Sequence, residues 1–453
     1  MNFLGIEIPM QNAPALDPGY IPMGLFSKAF LAQAKKPVAI CVERNDGLVA
    51  VHDTFITGTN MEADKYHVER TVKFLLWSKG GFCVTVCGDD TIAAHIKEAY
   101  SATGARAFDA AFMARVYERD FEVHALPLDQ KPAQKEQSKP VGGNMKGCRI
   151  GFDAGGSDRK VSAVIDGEAV YSEEVVWHPK INEDPQYHYD GIVSAMKTAA
   201  SKMPRVDAIG VSSAGIYIDN RTMVASLFLK VPQDKFDKQV KDIYVRAAKE
   251  IGADLPLNVV NDGDVTALAG AMDLDDTGVL GIAMGTSEAA GFVGEDGNIT
   301  GWLNELAFAP VDASPTAMQD EWSGDIGCGV KYFSQDGVIK LAGHAGISLD
   351  ETLSPGEKLK IVQGLLEQED ARAVQIFESI GCYLGHTLPY YHSFYGFRHV
   401  LLLGRVMSGR GGNLILEHAK RVLANEYPQC NFAVNVPDEK ARRVGQSVAA
   451  ASL

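Results

Sequence analysis

Arg149-Ile150-Gly151-Phe152-Asp153-Ala154-Gly155-Gly156-Ser157-Asp158-Arg159-Lys160-Val161-Ser162-Ala163-Val164-Ile165 is the stretch on which the reading of this chain turns. It is an apolar run, a carboxylate, a Gly-Gly-Ser turn, and a second alternating run that stops at Asp166-Gly167. Two such runs around glycine predict a β-hairpin. Gly155 and Gly156 can take positive φ and let a ligand approach the backbone closely. Successive bare N–H groups in such a turn form an anion-binding concavity. Ser157 adds a hydroxyl donor, and Asp153 at the lip could hold a metal ion or its bound water. This is chemistry suited to a nucleotide's phosphates. Asp-Gly-Gly hairpins also occur with nothing bound, so other stretches have to join it.

Composition sets the frame around the hairpin. A chain of 453 residues is expected to hold two or three domains. With 46% hydrophobic and 22% charged residues it can bury real cores. A net charge of −15 argues against nucleic acid or a membrane surface as partner. No apolar run approaches the length of a membrane span, and no signal peptide is read at the N-terminus, so a cytoplasmic location is expected. The seven cysteines are scattered through apolar runs, the usage of buried thiols. Cys83 and Cys87 form the one close pair. On a strand they share a face, and with no histidine at ligand spacing they read as core.

Taken in order, residues 1–37 read as an irregular arm. Val38–Val42 and Leu48–Phe55 form a hairpin around Asn45-Asp46-Gly47. Helices at 64–78, after the Gly88-Asp89-Asp90-Thr91 cap and at 108–119, with strands at 82–87 and 121–126, complete a small α/β domain over 1–130, readable as a degenerate copy of the unit that follows. Residues 131–147 are polar, without periodicity, and read as a linker. Beyond them come strands at 169–177, 208–212, 257–260, 278–284, 289–293, 400–403 and 432–436. Helices are expected at 190–202, 236–251, 265–272, 358–366, 371–391, 414–425 and 439–451. Strands repeatedly end in polar or glycine turns that start helices, the arrangement in which open α/β sheets bind ligands at the carboxyl ends of their strands.

Four stretches then line up. Phe152–Ser157 resembles the first phosphate motif of the sugar kinase/Hsp70/actin superfamily, Gly281–Gly291 (GIAMGTSEAAG) its second, and His399–Gly412 its adenosine motif. The closer resemblance is to the ROK family of bacterial sugar kinases and repressors. Val259-Val260-Asn261-Asp262 is similar to the family's Asn-Asp pair, whose aspartate is the catalytic base. Gly301–Phe308 (GWLNELAF) is similar to its sugar segment, with Glu305 at the glutamate, and Gly327-Cys328 to the end of its cysteine-rich segment. The resemblance covers roughly residues 147–453.

The resemblance implies an α/β protein with two actin-like (ribonuclease H-like) lobes around a cleft, preceded by the small N-terminal α/β domain. Lobe I would be 148–264 with 437–453, and lobe II 265–436. It implies ATP and a sugar or sugar-like hydroxyl compound as ligands, with Asp262 as general base. Asp153 would hold Mg²⁺ through water. Gly155, Gly156 and Ser157, with Gly285, Thr286 and Ser287, would clamp the phosphates, while Gly404 and Gly409 face the adenosine. Asn261, Glu305 and Gly215 would meet the substrate. A homodimer is the family's common state.

The chain also departs from the pattern. The zinc run is reduced to Cys328 and the histidine ligand position is Phe308, so zinc is not expected. Val330 replaces a sugar-contacting glutamate. Glu288 stands where glycines usually do, which predicts a carboxylate near the phosphates. A non-catalytic regulator of the same fold is the second reading. It would lack DNA binding, because the N-terminal segment has strand signals and no basic recognition helix. An actin-like ATPase activator would need cluster-binding cysteines that the chain does not place.

Overall fold

A computed structural model describes residues 1–136, 142–437 and 441–453. Parts of two sequence expectations, the linker at 137–141 and the first residues of the closing helix at 438–440, lie outside the described residues. The chain divides into two compact units. One comprises Met1–Gln137, Ile282–Ala290 and Trp302–Val436, the other Ser138–Gly281, Gly291–Gly301 and Pro437–Leu453.

The second unit is built on the opening hairpin. Its five-stranded sheet runs Leu257–Asn261, Ala208–Ser213, Cys148–Ala154, Asp158–Ile165, Glu168–Val176 in spatial order. The last three strands are antiparallel meanders and the first three are parallel. Parallel neighbours need a crossover, supplied by the helix Pro185–Ala200 between Val176 and Ala208. Cys148–Ala154 and Ala208–Ser213 are buried at every position, which is why they read as near-continuous small and apolar runs. Phe152, Val161, Ile192, Met196, Val211, Phe228 and Tyr244 meet in one core, and each large apolar side chain fully buried there contributes about 1.5–3 kcal/mol. The closing helix Ala441–Ala451 packs on the strands 148–154 and 208–213.

Register fixes what this sheet presents at its carboxyl end. Asp153 pairs with Ser212, Ala154 with Ser213, and Ser213 with Asn261. The three polar strand ends therefore line up side by side. The helix Asp262–Leu274 starts directly from the last strand, three residues earlier than its apolar pattern suggests.

The first unit holds a four-stranded sheet ordered Leu48–Ile56, Lys36–Arg44, Cys83–Cys87, Glu122–Leu126. Its hairpin turns at Asn45–Gly47 with Asp46 at φ 60° and Gly47 at φ 62°, the two left-handed residues that Asp-Gly supplies. The expected degenerate copy fails on strand polarity. Lys36–Arg44 runs antiparallel to Cys83–Cys87, whereas the equivalent step from Cys148–Ala154 to Ala208–Ser213 is parallel.

Residues 1–37 are not wholly irregular either. Met23–Leu31 is a helix burying Met23, Leu25, Phe26 and Phe30, its signal hidden by the adjacent Pro22 and Gly24. The N-terminal residues do not stand apart as a unit of their own. From the helix Met61–Lys79, the buried Arg70 and Lys73 reach Asp325 at 2.8 and 3.1 Å, and Arg106 reaches it at 2.6 Å. Among the described residues no helix is long and apolar enough to cross a membrane.

Candidate functional site

In the second unit, Asp153 ends the central strand with its residue only 5% exposed. Ser212 Oγ, from the paired position on the next strand, donates to Asp153 Oδ1 at 2.9 Å. Burial pushes the Asp153 carboxyl up to about 6; the Asp262 charge adds to the rise, and the Ser212 hydroxyl opposes it. Asp262, half-buried at the start of its helix, is raised by the same cause, burial, while its own and Gly263's backbone N–H and the Lys180 charge pull it down. Each carboxyl is thus held above the usual range, and the Asp262 charge acts on Asp153.

Asn261, not Asp262, is the N-cap: its Oδ1 accepts the Gly263 N–H at 2.7 Å, and its Nδ2 donates to Gly215 O at 2.8 Å. Both ends of the amide are therefore engaged locally, leaving one N–H and one lone pair for a substrate. Gly215 has a structural reason to be glycine, since at φ 143° a side chain would run into Val224 O. The hydroxyls of Tyr217 and Tyr244 converge on Ser213 Oγ at 2.7 and 2.9 Å, a polar cluster beside the site that no motif announces.

Neither Gly155 nor Gly156 has positive φ. Gly155 is needed for close approach, because a Cβ there would lie 2.7 Å from Asp158 O. A Cβ on Gly156 would meet only Lys180, 2.8 Å from Cε and 3.0 Å from Nζ. Ser157 is exposed and its hydroxyl donates to Asp158 Oδ2 at 2.9 Å. Lys180 carries no motif and was missed by the sequence reading.

In the first unit, Gly285-Thr286-Ser287 form the turn before the strand Glu288–Val293, with Gly285 O accepting the Gln335 N–H at 2.9 Å. Arg405 Nη2 donates to the exposed Thr286 Oγ1 at 3.1 Å. The strands lie in the order 288–293, 279–284, 399–403, 433–435, so the turn and the glycine-containing stretch after Leu403 belong to one sheet. Gly404 has φ 95°, and a side chain there would strike Met284 O, so strand packing accounts for this glycine. Gly409 has φ 61° with open space around its Cβ position, and it begins the helix Gly409–Glu426.

Glu288 departs from the expectation of a carboxylate at the phosphates. It is 3% exposed, and neither carboxylate oxygen has a hydrogen-bond partner. A side chain on Gly329 would collide with Glu288 Oε2. Burial raises its pKa to about 8; the Tyr391 hydroxyl, close but outside hydrogen-bond geometry, opposes the rise, and the nearby Glu305 charge adds to it. Glu305 is half-buried, held by its N–H to Trp77 O at 2.9 Å.

The positions at which the family pattern would place zinc ligands are apolar here. Cys328 packs with Ala307, Val330 and Phe308, and the Phe308 ring lies 4.6 Å from Trp77 and 4.7 Å from Trp322. Burial pushes the Cys328 thiol up to about 12, and it donates to Asp325 Oδ2 at 3.7 Å. Cys83 is buried, as its apolar surroundings predicted, and the neighbouring strand brings Glu122 and His124 alongside, the three ligand atoms within 4.8 Å of one another.

Over about two-thirds of its length the chain has the actin-like α/β fold of the ROK family sugar kinases. A ROK hexokinase from Thermus thermophilus superposes with a TM-score of 0.53 at 17% identity, over 67% of this chain and 96% of that one. A ROK family transcriptional regulator, a homologue of the E. coli Mlc protein, gives 0.50 at 16% identity, over 68% and 78%. A ROK family glucokinase from Streptomyces griseus, in complex with glucose and AMPPNP, gives 0.49 at 19% identity, over 67% and 98%. No protein-family model and no curated protein sequence matches the chain.

Proposed function

We propose that this protein is an ATP-dependent kinase that phosphorylates a hydroxyl of a sugar or sugar-like compound, with Asp262 as general base. The observation that carries the reading is the alignment of Asp153, Ser212, Asn261 and Asp262 at the carboxyl ends of three adjacent parallel strands, below the Gly155–Ser157 turn. Phosphoryl transfer asks for alignment, charge neutralisation and an acceptor for the hydroxyl proton. A carboxylate whose pKa is raised toward the working pH is a better base than a free one, and burial raises that of Asp262. Asn261, its amide fixed at both ends, orients the hydroxyl beside that base. Asp153 and Asp262 form a hard-oxygen donor set whose mutual repulsion a divalent cation would relieve, with Asp153 as the residue to hold it through water. Mg²⁺ bound with ATP would shield the phosphate charge. Glu305 and Gly215 remain the substrate-side residues of this reading, Gly285–Ser287 a second phosphate turn, and Gly404 and Gly409 the adenosine side.

The ROK fold also carries a transcriptional regulator, and the retained Asn261-Asp262 pair supports the enzyme over a binding protein. The test is ATP consumption against hexoses, amino sugars and polyols, with Asp262→Asn beside the wild type. We expect turnover on one class, reduced about 10²- to 10⁴-fold by the substitution, with nucleotide affinity changed only a few-fold. A wild type that binds nucleotide yet turns over none of these compounds would sink the kinase reading. Matching pH–rate profiles for the two proteins would remove Asp262 as the base.

A further inference from the structure

Lys180 stands over the phosphate turn and no sequence motif marks it. It lies in the short 3-10 segment Pro179–Ile181, and its Nζ is 3.0 Å from where a Cβ on Gly156 would be. The segment is pinned on both sides. Trp177 Nε1 donates to Gly155 O at 2.8 Å, and the Trp177 N–H donates to Ser157 O at 3.1 Å, stitching the preceding residues to the turn. On the other side the buried His188 lies with Nε2 2.9 Å from Pro179 O.

The other cations of this hairpin are engaged: Lys160 pairs with Asp158 at 3.2 Å, and the Arg159 guanidinium lies 6.0 Å from the Trp177 ring centre. Lys180 is exposed and makes no ion pair among the described residues, and its field reaches Asp262. In a chain of net charge −15, a cation held beside a turn of bare N–H groups, in no ion pair among the described residues, is placed for an anion from outside.

We infer that Lys180 is a phosphate-binding residue of this site, its ammonium pairing with the terminal phosphates of a nucleoside triphosphate lodged at Gly155–Ser157. The inference rests on the proposed function and deepens it. A glycine at 156 has a purpose on this reading, since any side chain there would push the ammonium off the turn.

The experiment measures MgATP and adenosine affinity by calorimetry for the full chain as wild type, Lys180→Met and Lys180→Arg. We expect the Met variant to bind ATP about 10- to 100-fold more weakly, the loss of one charge-assisted contact. Adenosine affinity should be unchanged, and Arg should restore most of the loss. Lys180 is exposed, so thermal unfolding should be unaltered. ATP affinity in the Met variant within about twofold of the wild type would overturn the inference alone. A wild type that binds no ATP would overturn the proposed function and this inference with it.

Discussion

Replacing Glu288 with Gln should make the protein more stable above neutral pH, an unusual sign for deletion of a charge. The carboxyl is buried, lacks hydrogen-bond partners, and titrates near 8 rather than the usual 4.5. Its folded pKa lies above its unfolded one, so between those values folding takes up a proton. The Glu288 contribution to stability is therefore greatest below about pH 4.5 and falls as pH rises to about 8, by at most about 1.4 kcal/mol per pH unit. Across the window full ionisation would cost the fold about 4–5 kcal/mol, an order-of-magnitude figure. Gln keeps the shape without the charge, and its own unpaired amide gives back about 1–3 kcal/mol. Urea unfolding of both proteins from pH 5 to 9, followed by tryptophan fluorescence, isolates the effect as the difference between two curves. The variant should be level with or below the wild type at pH 5 and above it by a few kcal/mol at pH 9. Parallel curves over the whole range would refute the reasoning, because they would show that Glu288 finds a partner or water when ionised.

Two further substitutions address the first unit. Asp325 is held far below the ordinary carboxylate range, because Arg70, Lys73 and Arg106 together outweigh the upward push of its burial. Asp325→Asn leaves Arg70 with only the Ile326 carbonyl at 3.2 Å, and should cost about 3–5 kcal/mol in urea unfolding at pH 7. Its folded pKa is depressed, so the gap to wild type should narrow below about pH 4, where the wild-type carboxylate begins to lose its advantage; a gap constant into acid would contradict the ion network. Gly404→Ala should destabilise by several kcal/mol, combining positive φ with a clash on Met284 O, whereas Gly409→Ala, equally left-handed but unobstructed, should cost about 1 kcal/mol. Equal melting temperatures for the two variants would show that packing at Gly404 is not the cause.

Much of the candidate site was legible because it is local. Asp153 sits beside its own turn, and Asn261-Asp262 lies at the junction of a strand and a helix, so one stretch of chain displays each. Glu288 shows where this fails. Its place after Ser287 suggested a carboxylate among phosphates, but the strand turns its side chain inward against Gly329, with Tyr391 and Glu305 nearby. Lys180 fails in the opposite way, ordinary in sequence and placed over Gly156 only by the Trp177 and His188 anchors. The N-terminal helix Met23–Leu31 was hidden by Pro22 and Gly24, although its apolar face is buried.

By itself the sequence determined the hairpin, the strand–turn–helix alternation and the order of its phosphate and Asn-Asp motifs. These follow from side-chain periodicity and glycine placement over a few residues. Tertiary structure alone decided which polar strand ends stand together, because the parallel register of Asp153, Ser212 and Asn261 depends on strands more than 40 residues apart. It alone showed that Arg70, Lys73 and Arg106 converge on Asp325 beside Cys328. Long-range burial and charge pairing leave no periodic trace, so those decisions are read only in the folded chain.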